Sequence, residues 1–384
     1  MLKISQQTDI ATFRVLDLLQ QVNERKMNGE DIISLAPGQP CDGAPEPAIE
    51  YGMSVMKNGF MGYTEAVGMP LLRDRISVWY RDYYGLDVPM ERIVITIGAS
   101  GAFLFAFLSM FEPGDKIALA SPGYPAYRNI IKACGLEAIE IESSMQTGYQ
   151  PTISQLEELD ELPDGLLIAS PSNPAGTMIS PENLKSLCNW CREKGVRLIA
   201  DELYHGVTFD EKADSVLRYC KDVVAVNSFS KYFAMTGWRL GWMVLPENVT
   251  ARVKSLAESL FVSPPTLAQH VAYKTFEHTD ILDQYVARYK ANLDVLLAEL
   301  PKAGITKFPK TQGAFYLYAD ISDLTQDSEQ WAKDLFDAKG VAVTPGTDFD
   351  LERGHTTIRL SYAGSTEDIT EAAKRIIEFV NDQK

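Results

Sequence analysis

Residues 165–206 read GLLIASPSNPAGTMISPENLKSLCNWCREKGVRLIADELYHG, and this stretch decides the class of fold. Two continuous apolar runs, GLLIA at 165–169 and VRLIA at 196–200, flank an amphipathic segment that is typical of a helix. Continuous apolarity indicates strands covered on both faces, and the order strand, helix, strand indicates parallel pairing. The stretch therefore predicts one repeating unit of an α/β fold.

The same pattern continues on both sides of this stretch. Further apolar runs are RIVITI (92–97), KIALA (116–120), VVAV (223–226) and GWMVL (241–245). We therefore predict a large α/β domain over residues 46–280, with a mostly parallel sheet flanked by helices. After about residue 280 the strands become fewer and more polar, which is typical of a smaller α+β domain. We assign residues 1–45 and 281–384 to this small domain.

The bulk composition argues against several classes of partner. The chain has 384 residues, of which 46% are apolar, and its 36 basic and 52 acidic residues give a net charge of −16. Such a charge repels polyphosphate backbones, so we expect no nucleic-acid partner. The most apolar run, AFLFAFLSMF at 102–111, is shorter than the roughly 18–20 residues of a membrane span. The first ten residues show no signal-peptide pattern, and we expect no membrane partner.

The cysteines and histidines suggest neither a disulfide framework nor a metal site. Five cysteines are an odd number in a long chain, which favours a reducing compartment and a cytoplasmic location. Cys188 and Cys191 form a CxxC, but they lie in a helical pattern without a second pair, so a structural role is favoured over redox or zinc chemistry. The four histidines lack a metal-binding spacing, and a structural role is also favoured for His205. No metal is predicted.

The residues that follow the apolar runs are candidates for chemistry. RIVITI is followed by GASGA, KIALA by SPGYPAY, GLLIA by SPSNPAG, VRLIA by DELYHG, and VVAV by NSFSK. In open parallel sheets the ligand crevice lies beyond the carboxyl ends of the strands. A single crevice could therefore collect small, polar and ionisable residues from five strand ends.

Lys231 is the most informative of these residues. It lies in NSFSKYFAMTGWRLGW at 227–242, and a lysine in such an apolar stretch either reaches out to solvent or is held for its amine. Position alone does not separate these two interpretations. A desolvated lysine beside a second cation has a lowered pKa and can form a Schiff base, and Arg239 could supply that cation.

An anion site would explain the neighbours of Lys231. Ser228, Ser230 and Arg239 carry good phosphate ligands, and the glycine-rich turn GASGA could add free backbone N–H groups at the start of a helix. GASGA alone is more often only a tight turn. The absence of GxxxxGK[ST] argues against an ATPase or a GTPase.

Three further residues have two interpretations each. Asp201 at a strand end is either a helix N-cap or the partner of a buried cation. Asn173 in SPSNPAG could belong to an ordinary proline-bounded turn. Arg359 in TTIRLSYA would by position alone be a surface residue of a strand.

Five motifs together resemble those of the pyridoxal-phosphate-dependent aminotransferases of fold type I, in the class I/II group that includes aspartate and aromatic aminotransferases. The motifs are YTEAVGMPLLRDRI, SNPAG, DELY, SFSKYFAMTGWRLGW and TIRLSYA, and their order and spacing match from about residue 34 to the C-terminus. The resemblance implies the PLP-transferase fold with a seven-stranded sheet. It also implies ping-pong transfer of an amino group from an α-amino acid to a 2-oxo acid, with 2-oxoglutarate or pyruvate as acceptor and pyridoxal 5′-phosphate as cofactor.

The resemblance also implies roles for individual residues. Lys231 matches the lysine that forms the internal aldimine, and Asp201 matches the carboxylate that pairs with the pyridine nitrogen of the cofactor. Tyr204 and Asn173 match the groups that bind the phenolic oxygen of the cofactor, so Lys231, Asp201 and Tyr204 are the expected catalytic residues. The matches to the cofactor-phosphate ligands are Ser228, Ser230, Arg239, Ala99 and Ser100.

The remaining matches concern the cofactor ring, the substrate and a second subunit. Tyr124 matches the aromatic residue that stacks on the cofactor ring. Arg359 matches the clamp for the substrate α-carboxylate. Gly38 matches a backbone contact near the same carboxylate, in a segment that acts as a mobile cover, and Asn173 is also expected at the substrate. Tyr63 matches a tyrosine that reaches the phosphate of the neighbouring subunit, which implies a homodimer.

Two alternatives to an aminotransferase are considered. A C–S β-lyase uses the same cofactor and lysine, but FAMTGWR and the tyrosine of DELY resemble aminotransferases more closely. A transcription regulator with an aminotransferase-like domain would carry a DNA-binding module before that domain. Here the aminotransferase pattern starts near residue 34, and the acidic balance opposes DNA binding.

Overall fold

The computed structural model describes residues 2–12, 14–59 and 61–383. The strands are β1 (Ile33–Ser34), β2 (Ile93–Thr96), β3 (Lys116–Ser121), β4 (Glu137–Glu142), β5 (Gly165–Ala169), β6 (Arg197–Asp201), β7 (Val224–Ser228), β8 (Gly241–Val244), β9 (Tyr316–Asp320), β10 (Val341–Ala342), β11 (Thr344–Pro345) and β12 (Thr357–Ser361). The α-helices are α1 (Arg14–Met27), α2 (Glu46–Asn58), α3 (Pro70–Tyr84), α4 (Gly98–Met110), α5 (Pro125–Ala133), α6 (Ile153–Glu157), α7 (Pro181–Lys194), α8 (Glu247–Leu260), α9 (Thr266–Thr275), α10 (Thr279–Glu299), α11 (Ser328–Lys339) and α12 (Thr366–Asp382).

The largest sheet has seven strands in the order β2-β8-β7-β6-β5-β3-β4. Pairing is parallel from β4 through β3, β5 and β6 to β7, whereas β8 is antiparallel to both β7 and β2. The predicted class, a mostly parallel seven-stranded α/β sheet with a smaller α+β part, is confirmed. The register pairs Ala169 with Asp201 and Asp201 with Val226, so these three strands end at the same edge of the sheet.

The continuous apolar runs form strands that are buried on both faces. Leu166 and Ile168 of β5 join one buried cluster together with Leu187 of α7. Leu167, between them, points to the opposite face and joins a second cluster with Phe103 of α4. Successive side chains of a strand face opposite sides, so a strand between two helical layers needs an apolar residue at every position.

The edge strand β4 has no counterpart among the apolar runs. Its sequence, EAIEIE, alternates charged and apolar residues, and most of its side chains are exposed or half-buried. It pairs only with β3, so one side of its backbone has no strand neighbour in the sheet. A strand with this exposure lacks the continuous apolarity that reveals the central strands.

The predicted helix around the CxxC is confirmed. Cys188 and Cys191 lie buried on α7, and both are free thiols. Each contributes to the same apolar cluster as Leu187. The pair therefore packs in the core beneath the sheet.

Two smaller sheets lie outside the large one. Strands β11, β12 and β9 form an antiparallel sheet, and β1 pairs in parallel with β10 through Ile33 and Val341. The main-chain N–H of Ser361 donates to the carbonyl oxygen of Leu35 at 2.7 Å. The chain before residue 45 is therefore bonded to the C-terminal part, while the domain boundaries at 45 and 280 stay a prediction. Within the described ranges, no helix is both long and apolar enough to cross a membrane.

Candidate active site

A cavity of about 250 Å³ lies beyond the carboxyl ends of the large sheet. Most of the residues singled out from the sequence line it. They are Gly38, Ala99, Ser100, Tyr124, Asn173, Tyr204, Ser228, Ser230, Lys231, Arg239 and Arg359. Two predicted residues do not line it: Asp201 lies just behind its wall, and Tyr63 lies on the surface with 86% of its area exposed.

The start of α4 and the guanidinium of Arg239 form one end of the cavity. α4 begins at Gly98, whose φ of +66° favours glycine, and no side chain in the described part of the chain caps this helix. A Cβ at Gly98 would lie 2.7 Å from Nη2 of Arg239, so a larger residue here would displace the guanidinium. Arg239 itself has a φ of +54° and donates from Nη1 to the carbonyl oxygen of Thr236 at 2.8 Å. The uncapped N–H groups and the guanidinium together suit an anion.

Ser228 and Ser230 follow β7 at the same end. Both are buried, with 2% and 8% of their area exposed. The hydroxyl of Ser228 accepts from the main-chain N–H of Ser230 at 3.0 Å and donates to the carbonyl oxygen of Leu240 at 3.3 Å. These bonds hold the turn between β7 and Lys231 in place.

Lys231 is the buried amine of the cavity. Its Nζ donates to the carbonyl oxygen of Gly38 at 2.5 Å. Burial, together with the nearby Arg359 and Arg239, lowers the pKa of this amine to about 8, and Asp201 opposes the shift. Arg359 acts on the pKa more strongly than Arg239, although only Arg239 is close to Lys231 in sequence. An amine with such a pKa gives up its proton far more readily than an ordinary lysine.

Asp201 ends β6 and supports Lys231 from behind the cavity wall. Its Oδ2 accepts from the hydroxyl of Tyr127 at 2.5 Å, and its Oδ1 accepts from the main-chain N–H of Leu203 at 3.0 Å. Burial raises the pKa of this carboxyl group to about 7, while the two hydrogen bonds and Lys231 oppose the rise. The bond to Leu203 is a local turn bond, and a turn rather than a helix follows Asp201, so of its two interpretations the structure shows only the proximity to a cation.

Arg359 lies at the opposite end of the cavity. It is 3% exposed, and its Nη1 donates to Oδ1 of Asn173 at 2.9 Å while Nη2 donates to the carbonyl oxygen of Ala36 at 2.5 Å. Its Nε is buried and has no hydrogen-bond partner within the described ranges. A buried guanidinium with an unpaired donor is well suited to a carboxylate, which can accept two parallel bonds. Arg359 is therefore not the surface residue that its strand position alone suggested.

Tyr316 links the two ends of the cavity. Its hydroxyl lies 2.6 Å from that of Tyr204, and its ring lies beneath the guanidinium carbon of Arg359 at 4.3 Å. A Cβ at Gly38 would lie 1.9 Å from the Tyr316 hydroxyl, so only glycine fits there. Tyr124 lines the cavity nearby, and burial raises the pKa of its hydroxyl to about 12.

Several residues of the cavity were not singled out from the sequence. They are Val15, Leu16, Leu19, Tyr127, Tyr316, Asp348 and Phe349. Tyr316 lies in the run AFYLYADI at 314–321, in which Phe315 and Tyr318 are also aromatic, so sequence offered no signal to choose it. The apolar residues of α1 have the spacing of any amphipathic helix. Their position at the cavity depends on how α1 packs, which sequence does not show.

Comparison with known proteins shows the family of the chain. The sequence profile of aminotransferase class I and II matches residues 30–376. The chain belongs to the class I and II aminotransferase family. As an aminotransferase, it is a transferase enzyme.

The aminotransferase has close relatives along its whole length. It is 42% identical over 385 residues to the valine–pyruvate aminotransferase of Mycobacterium tuberculosis, with 99% of each chain covered. It is 32% identical over 375 residues to an aspartate aminotransferase of Sulfurisphaera tokodaii, which covers 95% of this chain and 93% of the relative. A crystal structure of an aminotransferase from Mycobacterium tuberculosis superposes with a TM-score of 0.97 at 41% identity and full coverage of both chains. These relatives differ in the substrates that their names give.

The cavity of this aminotransferase fits the cofactor of its family, pyridoxal 5′-phosphate. The uncapped start of α4 and Arg239 suit a phosphate, and the buried amine of Lys231 suits an aldehyde. Asp201 brings a carboxyl group close to the same amine, and Tyr204 adds a hydroxyl. The donor set therefore covers the phosphate, the aldehyde and the polar atoms of the ring.

Proposed function

We propose that the protein transfers the amino group of an α-amino acid to a 2-oxo acid, either 2-oxoglutarate or pyruvate, by a ping-pong mechanism with pyridoxal 5′-phosphate. The observation that carries the proposal is the buried amine of Lys231, with Arg239 at one end of its cavity and Arg359 at the other. One cation suits the phosphate of the cofactor, and the other suits the carboxylate of the substrate.

Several polar groups of the cavity would hold the cofactor. The Lys231 amine would attach it covalently, the carboxyl group of Asp201 would face the pyridine nitrogen, and the ring of Tyr124 would stack on the cofactor ring. Asn173 and Tyr204 would donate to the phenolic oxygen. The proposed phosphate ligands are Ala99, Ser100, Ser228, Ser230 and Arg239.

When bound, the cofactor would carry the amino group between the two substrates and withdraw electrons from the carbon that loses a proton. Lys231 Nζ would take this proton from the substrate α-carbon and later return it. A pKa of about 8 leaves a fraction of this amine unprotonated at neutral pH, which a general base requires. The carboxyl group of Asp201 is buried away from water, which would strengthen its interaction with the ring nitrogen of the cofactor.

Arg359 would fix the substrate through its α-carboxylate. The unpaired Nε and the second N–H of an Nη group, beside the one that each Nη group already donates, would offer parallel donors to a carboxylate. Because Tyr316 packs under the guanidinium and contacts the Tyr204 hydroxyl, the substrate clamp is held at a set distance from the cofactor side. This arrangement would place the α-carbon near Lys231 Nζ before proton transfer.

We further propose a homodimer in the cytoplasm. Tyr63 is 86% exposed, and the nearby Met53, Met56 and Met61 are also exposed, which supports a surface that a second copy covers. Tyr63 would then reach the phosphate in the neighbouring subunit. Sedimentation analysis tests the dimer. The Tyr63→Phe variant should retain the cofactor less well but remain a dimer. Cell fractionation tests the location.

The proposed function is tested with the purified protein and pyridoxal 5′-phosphate. Single amino acids are added, and the visible absorbance of the bound cofactor and the oxo acid released are followed. We expect a spectral change without acceptor and recovery of the starting spectrum on adding an oxo acid. Borohydride reduction should fix the cofactor to the wild type but not to Lys231→Ala, and a mutant that still forms this reducible link would overturn the lysine assignment. Release of pyruvate and a thiol from cystathionine without any oxo acid would instead favour the β-lyase.

A further inference from the structure

An aliphatic wall borders the cavity beside the substrate clamp. Helix α1 presents the aliphatic side chains of Val15, Leu16 and Leu19 to the cavity, and Ile130 completes this wall. The aromatic Phe349 lines the cavity as well. Residues three and four positions apart lie on the same face of a helix, so these α1 side chains form one patch. Leu16 is 57% exposed although it is a large apolar side chain. An apolar patch that faces a ligand cavity is a surface on which part of the ligand can pack.

Phe349, which lines the same cavity as the aliphatic wall, lies close to Arg359. The ring of Phe349 is 4.7 Å from the guanidinium carbon of Arg359. A substrate held by its α-carboxylate at Arg359 therefore has its side chain within reach of this wall. The wall is a candidate for the surface that selects the side chain.

A carboxylate at the same place adds an electrostatic element. Asp348 lines the cavity, is 5% exposed, and its Oδ2 has no hydrogen-bond partner in the part of the chain that the structure describes. Burial raises the pKa of this carboxyl group, while Arg359, Arg14 and Arg128 oppose the rise. The side-chain carboxylate of a dicarboxylic substrate would be repelled by Asp348 at this place, where little water screens the two charges.

The two other cations near Asp348 are already engaged. Arg14 makes an ion pair with Glu329 and donates to the hydroxyl of Thr347 at 3.2 Å. Arg128 lies 3.3 Å from Glu140 and donates to two main-chain carbonyl oxygens at 3.1 Å. Neither guanidinium lines the cavity. A substrate carboxylate near the aliphatic wall would have to displace one of these bonds.

We propose that the aliphatic wall and Asp348 make the enzyme selective for substrates with neutral, apolar side chains over dicarboxylic substrates. This inference rests on the proposed function. An aliphatic side chain loses only its contact with water when it packs on the wall, whereas a carboxylate would lose its hydration and gain no partner. In a ping-pong reaction donor and acceptor use the same site, so of the two acceptors left open the proposal selects pyruvate over 2-oxoglutarate.

The first experiment compares half-reactions of the cofactor-loaded protein. Valine, leucine, aspartate and glutamate are added singly, and the second-order rate of the absorbance change is measured for each. We expect the rate for valine or leucine to exceed that for aspartate and glutamate by at least tenfold. Binding of two unreactive acids, 3-methylbutanoate and succinate, is measured by calorimetry as a readout independent of turnover. We expect 3-methylbutanoate to bind at least tenfold more tightly.

Variants of the wall test its cause. Leu19→Arg adds a cation at the cavity and should shift the ratio of glutamate to leucine rates at least tenfold toward glutamate. Gln21→Arg is the matched control, because it adds the same charge to α1 at an exposed position that does not line the cavity. Asp348→Asn should shift the same ratio severalfold toward glutamate. It keeps the test valid if Leu19→Arg does not fold.

The outcomes separate the inference from the proposed function. If the loaded wild type reacts with amino acids but prefers glutamate and binds succinate more tightly, the inference is overturned and the proposed function stands. Equal shifts in Leu19→Arg and Gln21→Arg, or an unchanged ratio in Asp348→Asn, would also overturn it. If the protein binds no cofactor and no amino acid changes its absorbance, the proposed function fails and the inference fails with it.

Discussion

The two ends of the cavity carry positive charges of different kinds. At the strand-end side, formed by the segments after β2, β6 and β7, the amine of Lys231, whose pKa burial lowers to about 8, lies near the guanidinium of Arg239. At the clamp side, formed by β9, β12 and the segment around Gly38, the charge belongs to Arg359, and a guanidinium stays protonated in proteins. The contrast shows how one cavity can combine a base with a permanent anion site. The amine can release its proton, and the guanidinium can only bind.

The two sides also differ in how they are assembled. Most of the strand-end side comes from one segment, residues 227–242, which holds Lys231 and Arg239 together with both serines. The clamp side brings Arg359 into contact with Asn173, 186 positions away, and with Ala36, 323 positions away. A local segment can be recognised as a motif, whereas the clamp side exists only in the folded chain.

The sharpest test of the contrast is removal of the amine. Lys231→Ala removes both the covalent attachment and the proton acceptor, so we expect the rate of amino-group transfer to fall by about 10³-fold or more. Steady-state rates with the best amino donor measure the loss. Lys254→Ala on the exposed face of α8 is the control and should behave like the wild type. A Lys231→Ala variant within tenfold of the wild type would remove the strand-end side from the proposed chemistry.

The pH dependence of the free energy of unfolding tests whether the buried Lys231 amine loses its proton more readily than an ordinary lysine. The pKa of Lys231 is about 8 in the folded protein and 10.5 ordinarily, so between these values the unfolded chain binds more protons. The free energy of unfolding of the cofactor-free protein should therefore rise with pH across this window, by on the order of 3 kcal/mol at most. Lys231→Met should lack this part of the rise.

The same measurement separates the two cations. Arg359 lowers the pKa of Lys231, so Arg359→Gln should raise that pKa and narrow the window rather than abolish it. The free energy of unfolding is measured with urea between pH 7 and 10.5 for the wild type, Lys231→Met and Arg359→Gln. Parallel curves for the wild type and Lys231→Met would contradict the lowered pKa.

The geometry of the clamp side is tested by keeping its charge. Arg359→Lys retains a cation but loses the planar donors, so we expect KM for amino acids to rise roughly 10- to 100-fold. Cofactor retention during dialysis should change much less, because Arg359 lies at the far end from Arg239. Arg353→Lys, which does not line the cavity, is the control. An equal loss of cofactor binding and substrate binding would show that the clamp side does not act on the substrate alone.

The smallest effect is expected where the two sides meet. Tyr316→Phe removes the hydroxyl 2.6 Å from that of Tyr204 but keeps the ring under Arg359, so we expect a three- to tenfold loss of kcat, in line with one hydrogen bond. The pH at which the cofactor absorbance changes should also shift, because Tyr204 loses a partner. Tyr318→Phe is a matched control on the same strand, since its hydroxyl lies 2.7 Å from that of Thr357 and outside the cavity. The absence of a spectral shift specific to Tyr316→Phe would assign Tyr316 a packing role only.

The sequence by itself determined the class of fold and most of the strand-end side. Strands buried between two helical layers need continuous apolar residues, and the segments after them carry the polar groups, so both features are local in sequence. The edge strand β4 was not recognised because its exposure permits alternating charges.

Only the tertiary structure decided which distant side chains share the cavity. Tyr127 bonds to Asp201 across 74 positions, and Tyr316 to Tyr204 across 112. The aliphatic residues of α1 and the carboxylate of Asp348 likewise reach the cavity through packing alone. Apolar and aromatic residues with ordinary helix or strand spacing look the same in a core and at a ligand site, because periodicity reports which face is buried and not what covers it.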